Sequence, residues 1–193
     1  MKKLAALVLS AALLLGSAAA LTPEEAFPTK NEYPGYADVT EKDWFASSAQ
    51  TCYEVGLMMG THAGFAPYQS LTVAEVSTIA ARMNEAITGE AILLVDSTLP
   101  WYTSYITYLE ERGVDVPDDP TQPATRQQFV SLLSAVVPEE LLAPINTVTS
   151  LPDSDDPAVL AFYNAGILTG MDAWGTFAPD KTLTRAEAAA MVA

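Results

Sequence analysis

The sequence predicts a mainly α fold, in which three helix pairs form one domain with pseudo-threefold symmetry. A helix-capping pattern occurs three times, an apolar stripe at helical spacing follows each occurrence, and a glycine able to end a helix precedes each one. From Thr72 to Thr125 is 53 residues and from Thr125 to Thr184 is 59. Periods of this size indicate repeats that cannot bury an apolar face alone.

The first segment of the chain, residues 1–20, predicts a secretory signal peptide. A basic start, Met-Lys-Lys, precedes an apolar run, and Ala18–Ala20 offers a small-residue cleavage site. A membrane anchor is the less favoured alternative because the run is short for a spanning helix, and we expect no membrane contact after cleavage. Residues 21–35 are proline-rich and acidic and predict a linker.

The chain is strongly acidic, with a formal charge of −15. Removal of Lys2 and Lys3 with the leader leaves seven basic residues against 24 acidic ones, a charge of −17. Such a protein repels phosphate, which excludes general nucleic-acid binding. Any anionic polymer must therefore be bound through a few placed cations.

Each capping pattern has the form Thr-x-x-Glu or Thr-x-x-Gln, which predicts a capping box at a helix start. The pairs are Thr72 with Glu75, Thr125 with Gln128, and Thr184 with Glu187. Four, seven, eight and eleven residues after each threonine the sequence is apolar, which predicts one buried helix face. These positions are Val76, Ile79, Ala80 and Met83; Phe129, Leu132, Leu133 and Val136; and Ala188, Met191 and Val192.

The third predicted helix stops at Val192 and Ala193, so we expect it to be shorter than its counterparts, either clipped or cut off. Upstream of each box, Gly56, Gly113 and Gly166 follow helix-like runs and precede apolar residues. That order predicts a glycine in the left-handed conformation just after a helix. Each copy therefore reads as a helix, a glycine stop, a loop and a capped second helix.

Taken in order, these elements resemble the S-layer homology family. The quoted segments "GFAPYQSLTVAE" and "GTFAPDKTLTRAE" are similar to its G-x-F-x-P loop followed by Thr-Arg-Ala-Glu. The second copy is similar mainly through "PWYTSYITYLEERGV" and "ATRQQF". The resemblance covers about residues 36–193 and divides them into repeat 1 (36–92), a divergent repeat 2 (93–147) and repeat 3 (148–193).

The resemblance implies three repeats around a central three-helix bundle. It also implies an exported module that attaches non-covalently to the cell wall by binding a secondary cell-wall polysaccharide, often one with a pyruvate ketal. The expected location is the cell surface, or S-layer, with other S-layer proteins as further partners. The alternative is a structural assembly or spacer module of a surface layer that has no sugar site.

Two arginines stand in the first turn of a predicted helix, where the helix dipole disfavours a cation. Arg126 and Arg185 each follow a capping threonine, and free helix amides beside a guanidinium would form a compact anion site. Alternatively, each arginine pairs with a local acid such as Asp180 or Glu187. Val73 occupies this position in repeat 1, so we expect at most two competent sites.

Three tryptophans are candidate sugar-binding residues. Trp44 and Trp101 lie near the starts of the first helices, where a ring can stack on a sugar or anchor a small core. Trp174 lies in a glycine-flanked loop and is predicted to be exposed.

Three aspartates occupy similar repeat starts, Asp38, Asp96 and Asp153. They predict helix caps or turns. The resemblance implies that Asp38 and the turn glycine Gly170 border the ligand.

Enzymatic and metal sites have little support in the sequence. Cys52 is the single cysteine and is predicted to be a small buried hydrophobe, and His62 is the single histidine. No zinc-ligand spacing or G-x-S-x-G motif occurs, and the acidic run 153–156 lacks the glycine and distal glutamate of a calcium loop. We therefore expect no enzyme activity, no metal and no cofactor.

Overall fold

The computed structural model describes residues 27–95 and 97–193. The predicted signal peptide (1–20), residues 21–26 of the predicted linker and Asp96 lie outside the described residues. The six α-helices of the described part are α1 (Ala46–Glu54), α2 (Val73–Thr88), α3 (Thr103–Glu110), α4 (Arg126–Ser134), α5 (Pro157–Asn164) and α6 (Arg185–Val192). A short 3-10 helix, Glu139–Leu141, lies between α4 and α5. Extended chain in these ranges forms isolated bridges only, so the predicted mainly α class is confirmed.

The helices α2, α4 and α6 begin at the three predicted capping boxes. In the first box the Glu75 amide donates to Thr72 Oγ1 at 3.3 Å, and the Thr72 amide donates to Glu75 Oε2 at 2.8 Å. Both bonds are also present in the boxes of Thr125 and Thr184. Two otherwise unpaired amides are thereby satisfied at each helix start.

The three predicted glycine stops end α1, α3 and α5. Gly56, Gly113 and Gly166 have φ angles of 80°, 76° and 77°, the left-handed region that a residue with a Cβ rarely adopts. After α1 the Leu57 amide donates to the Cys52 carbonyl at 2.9 Å, which folds the chain back on the last turn. This is the Schellman arrangement that the sequence predicts.

The core is made by the predicted apolar stripes. All of their residues are buried except Met191 and Val192, which are half-buried. Cys52 is also fully buried, as predicted. Among the described residues no helix is long and apolar enough to cross a membrane.

The helices pair between predicted repeats rather than within them. The first helix of each repeat packs on the second helix of the preceding repeat, so α3 packs on α2 and α5 packs on α4. The order closes on itself, because α1 of repeat 1 packs on α6 of repeat 3. The helices α2 and α4 also pack together. The pseudo-threefold symmetry and the central bundle of three helices stay predictions, whereas the cyclic order of pairing is observed.

Three backbone hydrogen bonds form a closed ring between the repeats. The Leu71 amide donates to the Leu183 carbonyl at 2.9 Å, the Leu183 amide to the Ala124 carbonyl at 3.1 Å, and the Ala124 amide to the Leu71 carbonyl at 2.8 Å. All three residues are fully buried, and each directly precedes a capping threonine. The ring therefore holds the starts of α2, α4 and α6 together.

Cys52 offers a test of the pairing between α1 and α6. Its Sγ lies 3.7 Å from the carbonyl oxygen of Ala189, and burial raises the pKa of the thiol to about 12. We expect the folded protein to resist a thiol reagent such as DTNB at pH 8, while the denatured chain reacts at its one cysteine. Rapid labelling of the folded protein would contradict this packing.

Candidate functional site

The side chain of Arg185 is buried and crosses from repeat 3 to repeat 1. It is 5% exposed. Its Nε donates to the Phe65 carbonyl at 2.7 Å and its Nη2 to the Met59 carbonyl at 3.0 Å. Nη1 forms an ion pair with Glu75 Oε1 at 3.3 Å, and the guanidinium lies 5.2 Å from the centre of the Phe65 ring. Arg185 therefore fixes the loop of repeat 1 by charge-assisted hydrogen bonds.

Arg126 makes the equivalent contacts with the loop of repeat 3 and is 2% exposed. Its Nε donates to the Phe177 carbonyl at 2.8 Å and its Nη2 to the Thr169 carbonyl at 3.3 Å. Within the described ranges no carboxylate lies at ion-pair distance from it. Burial lowers the pKa of Arg126, yet a guanidinium keeps its charge at neutral pH.

The expectation that free helix amides complete an anion site is wrong. The Arg126 amide donates to the Lys181 carbonyl at 2.9 Å, and the Arg185 amide donates to the Gln69 carbonyl at 3.0 Å. The next amides, of Gln127 and Ala186, donate to the Pro179 and Pro67 carbonyls. The alternative of a local acid partner is also wrong: Arg185 pairs with the distant Glu75, while Glu187 pairs with Lys181.

Asp38 lies in a turn, and its side chain bonds to a distant loop instead of capping a helix. Its Oδ1 accepts from the Phe65 amide at 2.9 Å and its Oδ2 from the Ala66 amide at 2.7 Å. These bonds hold Ala66 at φ 56°, a conformation that costs a residue with a Cβ about 1 kcal/mol. The same two bonds link Asp153 to the amides of Phe177 and Ala178. Asp153 also lies in a tight turn, so the predicted turn position of both aspartates is confirmed, whereas neither carboxylate caps a helix.

Two grooves lie where the turn of one repeat meets side chains of the other two. Groove A, of about 230 Å³, is lined by residues 57–61, Glu75, Arg82, Trp101 and Arg185. Groove B, of about 430 Å³, is lined by Trp44, Arg126, Thr169, Gly170, Met171 and Glu187. Each groove thus joins a turn, a tryptophan and an arginine from three different repeats. Asp38 lines neither groove.

The tryptophans of the two grooves are on the surface. Trp44 is 63% exposed and Trp101 is 60% exposed, which excludes the alternative that they anchor the core. Each stands twelve residues before the glycine that ends its helix, and the corresponding residue before Gly166 is Ser154. By the same cyclic order, a third groove would combine the turn of repeat 2 with Ser154 at the tryptophan position and Val73 at the arginine position. That third combination has neither an aromatic ring nor a cation.

Arg82 in groove A was missed by the sequence reasoning. It donates to the Leu57 carbonyl and to the Tyr105 hydroxyl, both at 3.2 Å, and lies 5.3 Å from the centre of the Tyr105 ring. No carboxylate in the described ranges forms an ion pair with it. The sequence did place Arg82 on the second predicted helix of repeat 1, one turn after the stripe residue Ile79, which could have indicated a position next to the buried face. Only the pairing of α2 with α3 shows that it meets Trp101.

Gly170 and Trp174 belong to one loop at the edge of groove B. A Cβ on Gly170 would overlap the backbone of Gly175, so close packing of the loop requires glycine there. Trp174 is 83% exposed, which confirms the predicted exposure. The described residues contain no cluster of His, Cys, Asp and Glu able to hold a metal ion, and His62 lies exposed on a turn.

Comparison with known proteins gives one family. Residues 145–189 match the family model of the S-layer homology domain. The matched segment includes α5, the loop of repeat 3 and the start of α6. No curated protein matches the chain.

Loss of the Arg185 guanidinium should destabilise the fold. In Arg185→Met, the buried Phe65 carbonyl, the partly buried Met59 carbonyl and Glu75 lose their partner, so we expect a loss of about 3 kcal/mol in the free energy of unfolding. Urea denaturation followed by circular dichroism measures it. Arg112→Ala, which removes an exposed ion pair with Glu90, is the control and should cost much less. Equal losses would contradict the structural role of Arg185.

The bonds to Asp38 should make stability depend on acid pH. Burial alone would raise the pKa of this carboxyl, but hydrogen bonds from the amides of Phe65 and Ala66 outweigh it and hold the pKa below its ordinary value. The stabilisation is therefore complete above the ordinary pKa and is lost as pH falls through the lower folded value. Asp38→Asn should unfold more easily at pH 7 and lose less stability on going to about pH 3. If the unchanged chain and Asp38→Asn lost the same free energy of unfolding between pH 7 and about pH 3, the role of the Asp38 carboxylate would be contradicted.

Proposed function

We propose that this chain is exported and binds a secondary cell-wall polysaccharide non-covalently, because residues 145–189 match the family model of the S-layer homology domain, a family of non-catalytic cell-surface anchoring modules. The observation that carries the proposal is the meeting of an exposed tryptophan and an arginine in each of two grooves. In both grooves the tryptophan, the arginine and the turn come from three different repeats. The binding surface therefore depends on the assembled repeats.

The grooves provide the two contacts that an acidic sugar needs. An exposed indole face can stack on the apolar face of a pyranose ring, as in other ligand sites with few polar groups. In groove A, Arg82 offers a guanidinium without a carboxylate partner, and Arg185 adds positive charge behind it. A carboxylate such as a pyruvate ketal would pair with Arg82.

Charge in groove A differs from that of the whole molecule. The groove has Arg82 and Arg185 against Glu75, a local charge of +1, whereas the chain as a whole carries −15. The lining of groove B includes one cation, Arg126, and one anion, Glu187, which itself pairs with Lys181. An acidic polymer can thus be bound at close range despite the repulsive field, and groove A is the stronger candidate for its charged unit.

A second candidate function is assembly into a surface layer without a sugar site. It is favoured by an exposed apolar run in the segment between α2 and α3, where Leu93, Leu94 and Leu99 are all exposed. Large apolar side chains that are exposed together in one segment are a feature of surfaces that contact other proteins. The two candidates differ in whether wall polysaccharide is needed for attachment.

Trp44→Ala and Trp101→Ala test the sugar-binding proposal better than changes at the buried arginines, which we expect to disturb the fold. Each variant should bind cell-wall sacculi about tenfold more weakly, because the stacking face is lost. The double variant should lose more than either. Co-sedimentation with sacculi measures the affinity, before and after extraction of the secondary polysaccharide.

Tyr68→Ala is the matched control, because Tyr68 is an exposed aromatic residue that lines neither groove. It should bind like the unchanged chain. Binding that survives removal of the polysaccharide, or loss of both tryptophans, would reject the sugar-binding proposal. If replacement of Leu93 and Leu94 by serine then abolished self-association, the assembly function would be favoured.

A further inference from the structure

The geometry points to an additional saccharide subsite at Trp174, in which a neutral sugar unit next to the one in groove B stacks on the exposed indole. This inference rests on the proposed function and extends it. Grooves A and B then differ in the length of ligand that they can contact, because groove B continues along a loop that is longer than the one at groove A.

The loop that carries Trp174 is two residues longer than its counterpart in repeat 1. Four residues separate Gly60 from Phe65, whereas six separate Gly170 from Phe177. In repeat 1 the Thr61 amide donates to the Gly64 carbonyl at 2.7 Å, and the Gly64 amide donates to the Thr61 carbonyl at 3.1 Å. These two bonds close a tight turn that has the exposed His62 at its tip. The longer loop presents an indole where the shorter one presents His62.

The longer loop is held firmly by its own hydrogen bonds. Asp172 Oδ1 accepts from the amides of Trp174 and Thr176 at 2.9 and 3.1 Å, and Oδ2 accepts from the Thr176 hydroxyl at 2.7 Å. The Met171 amide donates to the Thr176 carbonyl at 2.8 Å. An aromatic residue on a fixed loop gives a large contact area and loses little conformational entropy on binding.

The fold itself makes no use of the Trp174 ring. At 83% exposure the ring has no aromatic or cationic neighbour among the described residues. Trp44 and Trp101, by contrast, pack edge-on against Phe45 and Tyr102. A ligand that covers the indole face would remove apolar area from water without displacing any protein contact.

The position of the loop determines which unit of a polymer would reach it. Gly170 and Met171, at the base of the loop, line groove B together with Trp44. A sugar chain that leaves groove B on this side passes the loop tip. The charges on and beside the loop are the Asp172 carboxylate and the paired Lys181 and Glu187, while the Arg126 guanidinium at the loop base is buried and donates to loop carbonyls. The chemistry therefore fits a neutral pyranose.

The test is a comparison of long and short ligands. The probes are secondary polysaccharide released from sacculi, as intact polymer and as fragments of one or two sugars, with affinities from calorimetry. Trp174→Ala should bind the intact polymer about tenfold more weakly and the fragments within about twofold of the unchanged chain. His62→Ala, at the matching loop of repeat 1, should leave both affinities unchanged.

Fluorescence gives an independent measurement, because the chain has three tryptophans. In the variant with Trp44→Phe and Trp101→Phe, Trp174 is the single indole, and its emission should shift to the blue with polymer but not with fragments. The subsite would be overturned if Trp174→Ala bound the polymer as tightly as the unchanged chain does. It would also be overturned if the substitution reduced the affinities for polymer and fragments by the same factor. Failure of the unchanged chain to bind the polymer would instead overturn the proposed function, and the subsite with it.

Discussion

Hydrogen bonds that pass from one repeat to the next are the interaction on which the rest of the structure depends. The ring of Leu71, Ala124 and Leu183 fixes the starts of three helices at one place. Loop carbonyls of a neighbouring repeat accept hydrogen bonds from the first amides of each of these helices. The buried arginines Arg126 and Arg185 donate to further carbonyls of the same loops. Both grooves form at these junctions, so the surface that we propose for sugar binding is a product of the same bonds that hold the fold.

An arginine in the first turn of a helix is explained by this arrangement. The helix dipole opposes the cation there by roughly 0.3–1 kcal/mol. For Arg185, two loop carbonyls and the Glu75 carboxylate offset that cost, and for Arg126 two carbonyls do so. Both side chains therefore serve mainly to connect one repeat to the next. Their charge still reaches the grooves that they line.

Local features of the fold could be predicted from the sequence because each depends on residues a few positions apart. The capping box of Thr184 and the glycine stop at Gly166 are examples. The partners of Asp38 and Arg185 could not be predicted, because they lie 27 and 110 or more positions away and depend on which repeat packs on which. For the same reason, the tryptophans and arginines of both grooves could be named as candidates, but not which tryptophan meets which arginine. Arg82 was missed because it becomes part of a groove only when α2 meets α3.

The closure of α1 on α6 has a consequence for the order of folding. The lobes α2–α3 and α4–α5 join helices that are neighbours in the chain, so they can form early, at a small cost in loop entropy. The third lobe must bring Cys52 to Ala189 across 137 positions. Groove A needs Arg185 on the turn of repeat 1, and groove B needs Trp44 beside the turn of repeat 3. Competence to bind should therefore arise in a single late step, when the first helix meets the last.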